Sequence, residues 1–158
     1  MGKSALFCVL FLLLLSNCKI NTEGVNDVEG KDNIDGQIVT ECLTVKDREL
    51  ILKEIVQSSD FQLYLHPELL ERLPIKVAMN KHFNNDISVE SNGYRVQFVG
   101  LNRAFTDDIH RIEIIELDCE KGLLTYLVKY PIEGVFIDGT IIKKNTSWIT
   151  ENVHAVEE

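Results

Sequence analysis

The second half of this chain is written in strand-length runs separated by turn residues, which restricts it to a sheet of chain-adjacent antiparallel strands. Tyr94 to Val99 alternates in character, and Ile112, Ile114, Ile115 and Leu117 form a further β-rich run. Asp118-Cys119-Glu120-Lys121-Gly122 reads as a hairpin connection, and the return strand runs from Leu123 to Tyr130, where Pro131 stops it. Glu133-Gly134 reads as a bend or bulge before strand residues Val135 to Lys143. Lys144-Asn145-Thr146-Ser147 then turns the chain into a last strand from Trp148 to about Val156. One face of such a sheet needs an apolar cover, and the other is expected to be partly wet.

The cover comes from the residues just before. Thr44 offers a hydroxyl to cap a helix, with Asp47 near the positive end of its dipole. Leu50, Ile51, Ile55 and Val56 repeat at helical spacing among Lys46, Glu49 and Lys53, so an amphipathic helix is expected to about Ser58. Ser58-Ser59-Asp60 interrupts it, and Phe61, Leu63 and Leu65 lead to His66-Pro67. A shorter helical turn is expected from Glu68 to Leu73, since Pro67 suits a first turn and Pro74 ends it. Ile75, Val77 and Met79 alternate with Lys76 and Ala78 as a first strand. Helix first and then a meander of long antiparallel strands implies an α+β domain, residues 41–158.

Tyr130-Pro131-Ile132-Glu133-Gly134-Val135, then Gly139-Thr140-Ile141-Ile142-Lys143-Lys144, then Trp148-Ile149, is similar to envelope proteins of the cystatin-like or NTF2-like class. That resemblance implies a helix packed on a long-stranded, bent antiparallel sheet. It brings no active residues with it, because domains of this shape serve as enzymes, inhibitors, transport factors and scaffolds. Where such proteins are enzymes, an Asp or Tyr stands in the cone between helix and sheet. Tyr64, Tyr126, Tyr130 and Asp138 are the cleft candidates here, with strand and helix packing as the plainer account of each.

The chain opens with Lys3 followed by an apolar run from Ala5 to Leu15. That run is shorter than the roughly 20 residues a spanning helix needs, and its flanks match an export signal over residues 1–17. Leu15-Ser16-Asn17-Cys18 resembles the lipobox of bacterial lipoproteins, in which a cysteine thiol takes a diacylglycerol before the signal is cut away. The resemblance implies lipidation at Cys18 and attachment to a membrane. Lys19 stands where inner-membrane lipoproteins often carry Asp, which favours the outer membrane, facing the periplasm. Cleavage after Cys18 as an ordinary secretory signal, and an uncleaved anchor, are the other readings.

Residues 18–40 are rich in Asn, Asp, Glu and Gly, and their few apolar residues show no sustained period. This composition suits a flexible tether that holds the domain roughly 25 Å from its anchor. Cys8 leaves with the signal and Cys18 carries lipid, so Cys42 and Cys119 remain in the domain. In an oxidising compartment they either pair, or pack separately as small hydrophobes. Pairing would contribute about 4–5 kcal/mol by closing so long a loop.

The net charge of −9, which becomes −10 once Lys3 is removed, opposes nucleic-acid binding. No paired Cys or His spacing suggests a metal site, no Gly-rich phosphate loop occurs, and no cofactor is expected. No serine sits in a G-x-S-x-G elbow, and His66, His82, His110 and His154 lie in separate segments. His66 beside Glu68 offers a base near an acid, with a loop histidine entering a helical turn as the plainer account. No catalytic residue is therefore assigned. The expected role is a non-catalytic module that binds an envelope protein or a small ligand, with an enzyme using the helix-sheet cleft as first rival. An acidic inhibitor or immunity-type protein facing a basic partner is the second.

Overall fold

A computed structural model describes residues 42–100, 102 and 108–157 of the chain. The expected signal segment 1–17, the expected tether 18–40 and Cys18 lie outside the described residues.

Thr44 starts the domain with a reciprocal cap. Its hydroxyl accepts from the Asp47 amide at 3.1 Å, while the Asp47 carboxylate accepts from the Thr44 amide at 3.2 Å. Helix α1 (Val45–Gln57) then buries Ile51, Leu52, Ile55 and Val56 on one face. Ser58 ends this helix and begins the next. Its backbone is extended, its hydroxyl donates to the Ile55 carbonyl at 2.8 Å and accepts from the Phe61 amide at 3.3 Å. Helix α2 (Ser59–Leu65) follows and buries Phe61 and Leu65, one helical turn apart. The expected Ser58-Ser59-Asp60 interruption is thus a break at Ser58 alone, with Ser59 and Asp60 in the first turn of α2. His66 closes α2 in the left-handed conformation (φ 51°), and Pro67 prevents continuation. The turn expected over Glu68–Leu73 is reduced to one 3₁₀ turn, Leu70–Arg72.

Four strands form the main sheet in chain order: β5 (Arg111–Asp118), β6 (Leu123–Tyr130), β7 (Val135–Lys144) and β8 (Ser147–Glu157), all antiparallel. Leu124, Tyr126, Val128 and Tyr130 of β6 are buried, as are Val135, Ile137 and Ile141 of β7. These residues share one face, and α1 and α2 pack against it to make the main core. Pro131–Glu133 forms a 3₁₀ turn that Gly134 closes with φ 61°, so the expected bend lies between β6 and β7. Gly139 faces Tyr126 across the β6–β7 pair, and a methyl group there would meet the Tyr126 hydroxyl at 2.5 Å. Glycine at this position makes room for the ring.

The region before β5 departs from a simple meander. The remaining strands are β1 (Lys76–Ala78), β2 (Glu90–Ser91), β3 (Tyr94–Arg95) and β4 (Gln97–Val99). β2 and β3 form a minimal hairpin, whereas β1 and β4 pair in parallel. β1 also bridges in parallel to the start of β5, at Val77 and His110. The chain between β1 and β4 is long enough for the crossover that parallel pairing requires.

Candidate functional site

Tyr64, Tyr126, Tyr130 and Asp138 do not line a shared cleft. Tyr126 sits inside the filled core, and its hydroxyl has no hydrogen-bond partner among the described residues. Burial, with Asp60 and Asp138 nearby, pushes its phenol up to about 12. Tyr130 points to the same side about 13 Å further along the strand. It stacks on His110 with ring centres 3.8 Å apart. Tyr64 lies at the rim of α2, where its hydroxyl donates to Glu157 Oε1 at 3.1 Å. Asp138 is exposed between inward-facing Ile137 and Gly139, so strand alternation turns it to the opposite sheet face. Replacing Tyr126 by Phe removes only an unpaired buried hydroxyl. Thermal and urea denaturation of that variant are expected to show unchanged stability or a gain of about 1 kcal/mol.

The histidines also serve separate local roles. His66 Nδ1 lies 3.0 Å from Glu68 Oε1 on the surface, and His154 is exposed on β8 opposite Asp138. His110 is 2% exposed, held between Phe61 and Tyr130, with its Nδ1 3.2 Å from the Lys76 carbonyl. Burial lowers its pKa to about 4, against the opposing pull of the Lys76 carbonyl and Asp108. Arg72 stands beside this stack. It pairs with Glu133 and donates from Nη1 to the Tyr64 carbonyl at 3.3 Å.

Neutral His110 makes folding acid-sensitive in a defined window. Above pH 6.5 it is neutral in both folded and unfolded chains. As pH falls from 6.5 toward about 4, only the unfolded chain takes up the proton. The folded state should lose about 3 kcal/mol over that interval, and little more from this residue below it. Urea denaturation of the protein and of His110→Phe at pH 7.5 and pH 4.5 measures this, with the variant expected to show a clearly smaller pH dependence.

A different place on the molecule has the geometry of a binding site. Cys42 and Cys119 are joined by a disulfide, with their Cα atoms 6.0 Å apart. The bridge ties the entry to α1 to the β5–β6 turn. It helps wall a groove of about 480 Å³, within the range of small-ligand sites. Leu43, Ile114, Ile115 and Leu117 supply apolar lining, and Arg48, Lys81, His82 and Glu116 supply polar groups. Ile115 is 56% exposed at a bulge where β5 slips register against β6. The first turn of α1 carries Arg48 to the groove. Its Nη1 donates to the His82 carbonyl at 3.2 Å, while its Nε is buried without a partner among the described residues.

An unpaired donor on a permanent cation is costly in an apolar wall. Of this groove, sequence reasoning named the two cysteines and His82, but not Arg48, Lys81 or the open wall. The one legible signal was Ile114-Ile115, a doublet that breaks strand alternation where the bulge occurs. A larger hollow, about 880 Å³, lies beside β4, where Asn85, Arg95, Phe98 and Asn102 are among its lining residues. Among the described residues no group of three His, Cys, Asp or Glu is placed to hold a metal ion. No protein-family model, curated protein or solved structure matches this chain.

Proposed function

We propose that the chain is an exported lipoprotein, anchored through Cys18 to a cell-envelope membrane, whose domain is a non-catalytic binding module. The groove beside the Cys42–Cys119 bridge carries the binding reading. It joins exposed apolar surface at Ile115 to the cationic side chain of Arg48. The anchor rests on the apolar run Ala5–Leu15 and on Leu15-Ser16-Asn17-Cys18. Lys19 supports the outer membrane as its destination, and the tether 18–40 supports a domain that stands off that surface. Two helices covering one face of a four-stranded antiparallel sheet support kinship with the cystatin-like or NTF2-like class.

Mass spectrometry of the mature N-terminal peptide from the native host tests the anchor. A Cys18 peptide heavier by a diacylglycerol and an acyl chain is expected. An unmodified terminus at or beyond Cys18 would leave a soluble exported protein. A photo-cross-linking residue at position 115, introduced in the host, tests the site. Specific adducts there, absent when the same residue replaces exposed Asp138, support the groove.

A further inference from the structure

We infer that the groove binds an aliphatic monocarboxylate, with its acid group on Arg48 and its chain along Ile114, Ile115, Leu117 and the disulfide. The inference rests on the binding-module reading and adds the ligand class. Arg48 lines the groove as a permanent cation, with one outer nitrogen of its guanidinium donating to the His82 carbonyl. A carboxylate is the acceptor that best complements a guanidinium, because the bond is charge-assisted on both sides. Lys81 adds a second cation to the lining of a chain whose net charge is −9, so the local field opposes the global one. Glu116, the lining's carboxylate, repels a second anionic group on the ligand.

The rest of the wall calls for hydrocarbon. Ile115 is the exposed apolar residue of the set, and Leu117 and Ile114 are partly buried against the core beneath it. At roughly 30 Å³ per group, the share of liquid volume that a water takes, a ten-carbon carboxylate needs about 300 Å³ and fits within the groove's 480 Å³ with room left over. A peptide adding to β5 as a further strand fits less well, because the bulge at Ile115 interrupts the ladder such a strand would follow.

Calorimetric titration of the protein as isolated from its host, with a protein-free blank, decides the matter using decanoate, decanol and decanedioate. Decanoate should saturate at one equivalent, and the other two should bind at least tenfold more weakly. Ile115→Asp and Arg48→Gln should each weaken decanoate at least tenfold while the circular dichroism melting curve stays in place. The ligand comparison needs no variant, so it stands even where Arg48→Gln fails to fold. Equal affinity for decanoate and decanol, or no saturable decanoate heat, overturns the inference. Adducts at position 115 without decanoate binding would overturn the ligand class and leave the binding module standing. Absence of both overturns the two together.

Discussion

Replacing Cys42 and Cys119 together by Ser should lower the free energy of unfolding by about 4.5 kcal/mol. The bridge closes a loop with a sequence separation of 77 residues, so it removes a large set of open conformations from the unfolded chain. Its two ends are anchored differently. Cys42 precedes the cap of α1, and Cys119 lies in the turn after β5, so the bond joins the helical cover to an edge strand of the sheet. Urea denaturation of the oxidised protein against the double variant gives the difference directly. Adding reductant to the unaltered protein should reproduce most of the loss, and adding it to the variant should change nothing. A loss under 1 kcal/mol would mean that the unfolded chain is already compact around this pair.

The second large effect centres on Asp47. Its carboxylate is 7% exposed and takes four donors: Lys143 Nζ at 2.7 Å, Trp148 Nε1 at 2.9 Å, and the Thr44 hydroxyl and amide at 2.7 and 3.2 Å. Burial alone would raise its pKa. The hydrogen bonds from Lys143, Thr44 and Trp148 outweigh that and hold the carboxyl well below its usual range. The Lys143 ammonium also lies 5.4 Å from the Trp148 ring centre. One side chain therefore caps α1 and fastens it to the β7–β8 hairpin.

Asp47→Ala should cost about 3–5 kcal/mol, because it strands the Trp148 indole N–H and a partly buried ammonium along with the helix cap. Asp47→Asn keeps the shape but removes the charge and half of the acceptor capacity, and should cost roughly half as much. Since the folded-state pKa is lowered, the stabilisation from ionised Asp47 is present above the ordinary carboxylate pKa and is lost as pH falls below it. Lowering the pH from 5 to 3 should therefore destabilise the unaltered protein more than Asp47→Asn. Equal acid sensitivity in the two would show that Lys143 and Trp148 do not depend on the charge.

The residues around Asp47 illustrate what is readable without a structure. Thr44 and Asp47 announce a helix start at short range, and α1 begins there. The same text gives no sign that Lys143 and Trp148, about a hundred positions later, converge on that carboxylate. Helix α2 was obscured differently. Phe61, Leu63 and Leu65 repeat every second residue, as a strand would, yet Leu63 is 62% exposed and the buried pair is Phe61 and Leu65. The hydroxyl of Ser58, which bonds forward to Phe61 and back to Ile55, decides the matter over that pattern. The parallel pairing of β1 with β4 was hidden because a three-residue strand has too few side chains to declare its partner.

By itself, the sequence determined the antiparallel order of β5 to β8, because alternation and short turns leave adjacent strands one economical way to pair. It also determined where the first helix starts, a matter of neighbouring residues. Only the tertiary structure decided that Cys42 meets Cys119, that Tyr126 and Tyr130 serve the core while Asp138 faces away from it, and that Arg48 reaches a groove edged by Ile115. Those outcomes depend on segments far apart in the chain, and their closeness follows from how the helices settle on the sheet, which no local pattern encodes.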